Sequence, residues 1–171
     1  YFAKNASINK TGYEQFDAVM KHGMKALSVK DLEVEVKNGA ILVDSRKPDD
    51  FEQEFITGAM NIGLDGQYAI WAATLIDLKK PIVLVCEKGK EQESVTRLTR
   101  TGFENIVGFL GGGFDTWRAA GRPIDMIISM EPDELLMETK LDKEMQHIDV
   151  RKTGKGERGQ MQRAELVELR G

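Results

Sequence analysis

The chain carries near its middle the segment Pro81-Ile-Val-Leu-Val-Cys-Glu-Lys-Gly-Lys-Glu91, which joins an apolar run to a polar, glycine-containing loop. A short β-branched run bounded in this way is typical of a buried parallel strand. The helical pattern Ser94-Val-Thr-Arg-Leu98 follows the loop. The segment therefore predicts a strand, a loop and a helix in succession, with Cys86 at the carboxyl end of the strand, where open α/β sheets bind ligands.

Cys86 is the only cysteine of the chain, and its position favours a nucleophile. Backbone N–H groups of the loop and the positive end of the following helix would lower the pKa of a thiol there and favour the thiolate. The alternative is an inert buried thiol, because free cysteine is among the most buried residue types. Both interpretations stay open at this point.

Short apolar segments alternate with helical patterns on both sides of this unit. Strands are predicted at residues 40–43, 58–62 and 105–110, and helices at residues 28–37, 48–54, 67–78 and 114–120, with Ser28 as the N-cap of the first. Such alternation predicts an α/β fold, in which a parallel sheet of about five strands is covered by helices on both faces.

Composition limits the classes of function. The 171 residues are 41% apolar, enough for one domain core and some further chain. No apolar stretch is long enough to span a membrane, and no secretory leader is visible, so no membrane partner is expected. A single cysteine forms no internal disulfide, which favours a reducing, cytoplasmic location.

Charge and histidine content argue against nucleic-acid binding and against metal binding. The net charge is −4, from 24 basic and 28 acidic residues, so the chain lacks the basic field of nucleic-acid binders. The two histidines, His22 and His147, lie far apart without metal-ligand spacing. We expect both to be structural or surface groups, with no metal and no cofactor held by these residues.

Several separated motifs resemble those of the rhodanese-like family. Leu42-Val-Asp-Ser-Arg46 is similar to the family's strand-end Asp-x-Arg, and Ile56-Thr-Gly-Ala-Met-Asn-Ile62 to its Ile-x-Gly-Ala-x-Asn-Ile signature. Gly112-Gly-Phe-Asp-Thr-Trp-Arg-Ala-Ala-Gly-Arg-Pro123 is close to its closing motif. With the Cys86 segment between them, these motifs identify residues 27–125 as a member of the rhodanese-like sulfurtransferase family.

This resemblance implies a chemistry. The Cys86 thiolate would attack the sulfane sulfur of thiosulfate or of a low-molecular-weight persulfide, hold it as a persulfide, and pass it to a thiol or cyanide. The partner is then a small sulfur-containing substrate. The backbone N–H groups of the loop would hold the anion, and a strand-end pair would support it. These residues are Glu87, Lys88, Gly89, Lys90 and Glu91 for the loop, and Asp44 and Arg46 for the pair.

The loop departs from the family pattern. Glu91 stands where the family often has arginine, and together with Glu87 and Glu93 it opposes an anionic donor and a low thiol pKa. The alternative function is therefore a catalytically inactive rhodanese-like module that docks or regulates another domain. A phosphatase-like or arsenate-reducing use is disfavoured, because no arginine lies between Cys86 and Arg97.

Part of the sequence repeats at an offset of 105 residues. Asp44-Ser-Arg-Lys47 corresponds to Asp149-Val-Arg-Lys152, and Ala59 to Ala164. Such a period is typical of tandem domains. Residues 126–171 are therefore predicted to begin a second, incomplete rhodanese-like repeat, which stops before any counterpart of Cys86.

Residues 1–26 are predicted to be a linker that ends in a docking helix. The segments at residues 1–6 and 9–13, with residues 91–94 and 108–110, are similar to the region after the catalytic domain in metallo-β-lactamase-fold proteins fused to rhodanese repeats. Those proteins resemble hydroxyacylglutathione hydrolases and persulfide dioxygenases. The resemblance implies an upstream metallo-hydrolase domain as intramolecular partner, which would hold iron or zinc. Since the chain begins with Tyr1, we expect an excised piece of a larger protein. A second copy of the chain, forming a homodimer, is a further candidate partner.

Overall fold

The computed structural model describes residues 16–149 and 164–166. These belong to two compact units, Tyr1–Ile127 and Ile128–Gly171. The predicted linker before residue 16 and the polar stretch at residues 153–163 lie outside the described residues. None of the described helices is long and apolar enough to cross a lipid bilayer.

The first unit is built on a parallel sheet of five strands in the order β1-β5-β4-β2-β3, which confirms the predicted α/β fold. Its strands and helices alternate along the chain. They are α1 (16–23), β1 (Ala26–Leu27), α2 (Val29–Lys37), β2 (Ile41–Asp44), α3 (Pro48–Gln53), β3 (Met60–Asn61), α4 (Tyr68–Leu75), β4 (Ile82–Val85), α5 (Glu91–Thr101), β5 (Ile106–Leu110) and α6 (Phe114–Ala119). The strand β1 was not predicted, because two residues are too few to show an alternating pattern.

The sheet separates two apolar cores, so helices cover both of its faces. On one face, Leu84 of β4 packs in a core to which α1, α4 and α5 contribute. On the other, Val83 and Val85 pack with apolar side chains of α2 and α6. A strand buried on both faces reads as a continuous apolar run, which is why the segment before Cys86 contains no alternation.

Local signals placed most helix ends correctly. Ser28 forms a full capping box with Asp31, and Pro48 occupies the first turn of α3. Gly102 ends α5 in the left-handed conformation, and α5 begins at Glu91, so the last predicted loop residue is the first helical one.

The prediction for α4 was wrong in length and in its buried face. The helix ends at Leu75, and the side chains that it buries are those of Tyr68 and Ala72. Trp71, Leu75 and Leu78, whose spacing would place them on one apolar face of the predicted helix at residues 67–78, are exposed. Because nearly every residue of α4 is apolar, the periodicity of the sequence does not show which side packs.

The second unit contains α7 (Pro132–Leu141), β6 (His147–Asp149) and β7 (Ala164–Leu166). The helix begins at Pro132, with a capping box between Glu131 and Glu134. The two strands pair in parallel, with Ile148 opposite Glu165 and Asp149 opposite Leu166. The strands β2 and β3 have the same register 105 residues earlier, with Val43 opposite Met60 and Asp44 opposite Asn61.

The replacement of Gly108 by alanine tests the packing of β1 against β5. A Cβ at Gly108 would lie 2.4 Å from the Lys25 carbonyl oxygen, and its backbone φ of +153° is one that other residues rarely adopt. We expect Gly108→Ala to lower the free energy of unfolding by about 2 kcal/mol, measured by urea denaturation. Gly66→Ala is the matched control, since its Cβ would meet nothing closer than 3.9 Å. Equal stabilities for the two variants would contradict this account.

Candidate active site

Loops at the carboxyl edge of the sheet enclose a cleft of about 520 Å³ next to Cys86. The cleft is formed by α3 and by the loops that follow β2, β4 and β5 with the start of α6. Its lining residues are Arg46, Asp50, Gln53, Glu54, Cys86, Glu87, Lys88, Gly112, Gly113, Phe114, Asp115 and Arg118. Parallel α/β sheets bind ligands at this edge, so the cleft lies where the sequence placed the site.

The predicted site residues divide into two groups. Cys86, Glu87, Lys88 and Arg46 line the cleft, whereas Gly89, Lys90, Glu91 and Asp44 do not. Sequence reasoning missed the contributions of α3 and of the start of α6. These came from Asp50, Gln53, Glu54, Phe114, Asp115 and Arg118. The last three belong to the closing motif of the family, which marked this segment of the sequence but did not show that its side chains line the cleft.

A tight turn shapes the loop after Cys86. The Lys90 N–H donates to the Glu87 carbonyl oxygen at 2.9 Å, and Gly89 has a φ of +85°, which glycine adopts without a side-chain clash. The Lys90 N–H therefore already has an acceptor and is not available to bind an anion, contrary to the prediction for this loop residue. The N–H groups of Glu87, Lys88 and Gly89 donate to no acceptor among the described residues. These three N–H groups of the turn are available to bind an anion.

Asp44 and Arg46 form a strand-end ion pair beside the cleft. The Asp44 carboxylate is fully buried, and the Arg46 side chain is 11% exposed. Arg46 Nε donates to Asp44 Oδ1 at 3.0 Å, and Nη2 donates to Oδ2 at 2.7 Å and to the Glu54 carbonyl oxygen at 2.8 Å. Asn61 Nδ2 donates to the carbonyl oxygens of both residues. This network fixes the loop that follows β2.

Two arginines stack on Phe114 at the wall of the cleft. The guanidinium carbon lies 4.1 Å from the ring centroid for Arg46 and 5.1 Å for Arg118. Arg118 is also paired with Glu54 and, at 2.9 Å, with Asp115. Both arginines therefore have carboxylate partners already, which leaves Lys88 as the cleft cation without an ion pair among the described residues.

The Cys86 thiol is 3% exposed, and its burial raises its pKa to about 11. The hydroxyls of Ser45 and Ser94 act in the opposite direction through hydrogen bonds, while the negative charges of Glu91 and Asp44 add to the rise. Of the two interpretations that the sequence left open, the lowered thiol pKa is contradicted, and the rise agrees with a buried thiol beside acidic groups. Desolvation of the thiolate outweighs the helix start, where α5 places carboxylates in its first turn.

No group of three or more His, Cys, Asp or Glu side chains in the described part of the chain could hold a metal ion. His22 is exposed on α1.

Comparison with known proteins gives concordant results. The model of the family described as Rhodanese-like domain matches residues 28–120. The thiosulfate sulfurtransferase GlpE of Pseudomonas putida is 36% identical over 89 residues, which are 52% of this chain and 78% of that protein. GlpE of Haemophilus influenzae is 36% identical over 91 residues, which are 53% of this chain and 84% of that protein.

Solved structures show the same fold. The solution structure of a rhodanese-like domain from Anabaena has a TM-score of 0.53 at 24% identity, covering 63% of this chain and 83% of that one. A protein from Bacillus halodurans has a TM-score of 0.52 at 19% identity, covering 72% of this chain and 98% of that one.

The pH dependence of Cys86 alkylation tests the electrostatics of the thiol. Because burial disfavours the thiolate, the rate of reaction with iodoacetamide should rise through pH 9 and 10 toward a midpoint near 11. An unperturbed cysteine has its midpoint at about 8.5. Cys86→Ser gives the background, and a midpoint below that of a free cysteine would contradict the desolvation argument.

Replacement of Arg46 tests the strand-end pair. Arg46→Met leaves the buried Asp44 carboxylate without its cation, which should lower the free energy of unfolding by about 3 kcal/mol. Arg46→Lys keeps the charge but loses the two-pronged contact, so its stability should lie between those of the wild type and Arg46→Met. Chemical denaturation measures both. If Arg46→Met had the same free energy of unfolding as the wild type, the ion pair would contribute nothing to stability.

Proposed function

The chain belongs to the rhodanese-like domain family, and from that membership we propose that it transfers sulfane sulfur through a persulfide on Cys86. The observation that carries the proposal is the placement of its only cysteine at the carboxyl end of β4, where the cleft and a turn with three free N–H groups meet. The donor is thiosulfate or a low-molecular-weight persulfide, and the acceptor is a thiol or cyanide.

The reaction has two displacement steps. In the first, the Cys86 thiolate attacks the outer sulfur of the donor, the donor's sulfur–sulfur bond breaks, and sulfite or a thiolate leaves with the bonding electron pair. The thiol proton passes to solvent before the attack. In the second, the acceptor attacks the terminal sulfur of the persulfide and displaces the Cys86 thiolate, which completes the cycle without a net change in oxidation state.

The charge that the reaction places on sulfur needs hydrogen-bond donors. With a thiol pKa of about 11, on the order of one molecule in a thousand carries the thiolate at pH 8. The N–H groups of Glu87, Lys88 and Gly89 are free to bind the anionic donor and the charged persulfide. The rate of the first step should therefore rise with pH, because the reactive form increases tenfold for each unit.

The charge of the cleft bears on the choice of donor. Its cations Arg46, Lys88 and Arg118 face four carboxylates, and Glu91 adds a further negative charge near the sulfur. The four are Asp50, Glu54, Glu87 and Asp115. A dianion such as thiosulfate enters this field less readily than a donor of lower charge. We therefore expect donors of lower net charge to load Cys86 more readily than thiosulfate.

We also propose a wider setting for the module, in the cytoplasm and beside an upstream metallo-β-lactamase-fold domain that would hold its own iron or zinc. The support is the resemblance of the N-terminal segments.

For residues 126–171 we propose the start of a second rhodanese-like repeat. Support comes from the strand register that β6 and β7 share with β2 and β3 at an offset of 105. A second copy of the chain is proposed as a partner for this incomplete sheet.

Sulfur loading of Cys86 tests the proposed reaction. After incubation with glutathione persulfide or thiosulfate at pH 8 to 9, intact-mass spectrometry should show a gain of about 32 Da, one sulfur atom, which cyanide removes. Cys86→Ser should show no gain. If the wild type also stays unloaded with both donors, the alternative of an inactive docking module takes the place of this proposal.

A charge reversal at Glu91 tests the account of donor choice. Because Glu91 opposes negative charge at the sulfur, Glu91→Arg should speed loading by thiosulfate roughly three- to tenfold at low ionic strength and less in high salt. Glu35→Arg is the matched control. It makes the same charge change near the end of α2, which leads into the opposite edge of the sheet. Equal acceleration by both variants would refute a local effect.

A further inference from the structure

Three hydroxyl side chains are buried in the interior beside Cys86, on the side of the sheet that faces α4 and α5. Ser45 follows β2 and is 3% exposed, while Tyr68 of α4 and Ser94 of α5 are fully buried. Cys86 and Tyr68 belong to the same buried core. Buried hydroxyls in an apolar core ordinarily have fixed hydrogen-bond partners, so the partners of these three are informative.

The two serines have more acceptors than protons. Ser45 Oγ lies 3.0 Å from Ser94 Oγ and 3.2 Å from the Val85 carbonyl oxygen, and Ser94 Oγ lies 3.0 Å from the Lys90 carbonyl oxygen. Two hydroxyl protons thus serve three contacts, and each proton can rotate to another acceptor without movement of the backbone. Both serines also lie close enough to Cys86 to lower its pKa.

Tyr68 differs from the serines. Its phenolic oxygen is buried and has no partner at hydrogen-bonding geometry among the described residues, although the Ser94 hydroxyl lies close enough to act on it. An unsatisfied buried hydroxyl is destabilising, so its retention calls for an explanation. Packing does not supply one, because phenylalanine would fill the same space. Burial and the negative charge of Cys86 both raise the pKa of Tyr68, so the phenol keeps its proton and remains a donor.

The charged groups around the sulfur make such donors necessary. The carboxylates of Asp44 at the end of β2 and of Glu91 at the start of α5 both oppose a negative charge on Cys86. From α4, Tyr68 is the titratable neighbour, and the Arg97 guanidinium carbon lies 5.5 Å from its ring centroid. The side-chain interactions that favour the charged sulfur are those of the hydroxyls.

We propose that Ser45, Ser94 and Tyr68 are positioning residues whose hydroxyls turn toward the Cys86 sulfur and donate hydrogen bonds to it when it is a thiolate or a persulfide. The part that concerns the persulfide rests on the proposed sulfur transfer. In the neutral state the serine protons return to the Val85 and Lys90 carbonyl oxygens. The sulfur thus has buried side-chain donors on its core side in addition to the N–H groups of the loop.

Two conservative variants test this proposal by the rate of Cys86 alkylation with iodoacetamide between pH 8 and 10. Tyr68→Phe keeps the ring in place, and Ser94→Ala removes one donor from α5. In this range the rate follows the thiolate fraction, so the loss of a donor to a charged sulfur should slow alkylation roughly three- to tenfold at each pH. Thr99→Val is the matched control, since Thr99 Oγ1 donates to the Val95 carbonyl oxygen on the same helix.

A purely structural role predicts a different result. Tyr68→Phe would then remove only an unpaired hydroxyl, and its alkylation rates would equal those of the wild type and of Thr99→Val. That result, with thermal unfolding showing a folded variant, overturns the role of Tyr68, and unchanged rates in Ser94→Ala as well overturn the whole proposal. Because alkylation needs no sulfur donor, slowed variants support the hydroxyl set even if Cys86 accepts no sulfur, in which case only the persulfide part fails.

Discussion

The burial of β4 on both faces is the constraint on which the site depends. Its side chains alternate into two separate apolar cores, and it pairs with β2 on one side and β5 on the other. The strand can neither shift its register nor turn over without exposing one core to water. Cys86 is the residue that follows it, so the position of the sulfur relative to Asp44 and to the loop after β5 is set by the sheet.

The same constraint creates the chemical difficulty of the site. A position fixed by a dry core disfavours the thiolate that sulfur transfer needs, and the raised pKa of Cys86 measures that conflict. The donors that we propose to offset it lie on two sides of the sulfur. The turn at Gly89 leaves three loop N–H groups free, and the hydroxyls of Ser45, Ser94 and Tyr68 lie on the core side. Neither set carries a charge, so both can serve a thiolate and a persulfide without binding either permanently.

Sequence patterns predicted the features that depend on short-range rules. The β4 run and the N-cap at Ser28 each depend on a few neighbouring residues, and both are confirmed. Features that depend on packing were missed. The exposed side of α4 could not be read from a helix that is apolar throughout. The direction of the Cys86 pKa shift could not be decided from the sequence, because burial is a tertiary property and outweighs the helix start. Tyr68 gave no signal because the groups that act on it, Cys86 and Ser94, are distant from it in sequence.

The central claim is that Cys86 carries one sulfur atom between donor and acceptor. A single-turnover experiment tests it most directly: the protein is incubated with a persulfide donor, freed of excess donor and mixed with cyanide, and the thiocyanate formed is counted. If Cys86 holds one sulfur atom as a persulfide, the wild type forms one thiocyanate per chain and Cys86→Ser forms none. Thiocyanate from both proteins in equal amounts, or from neither, would contradict it.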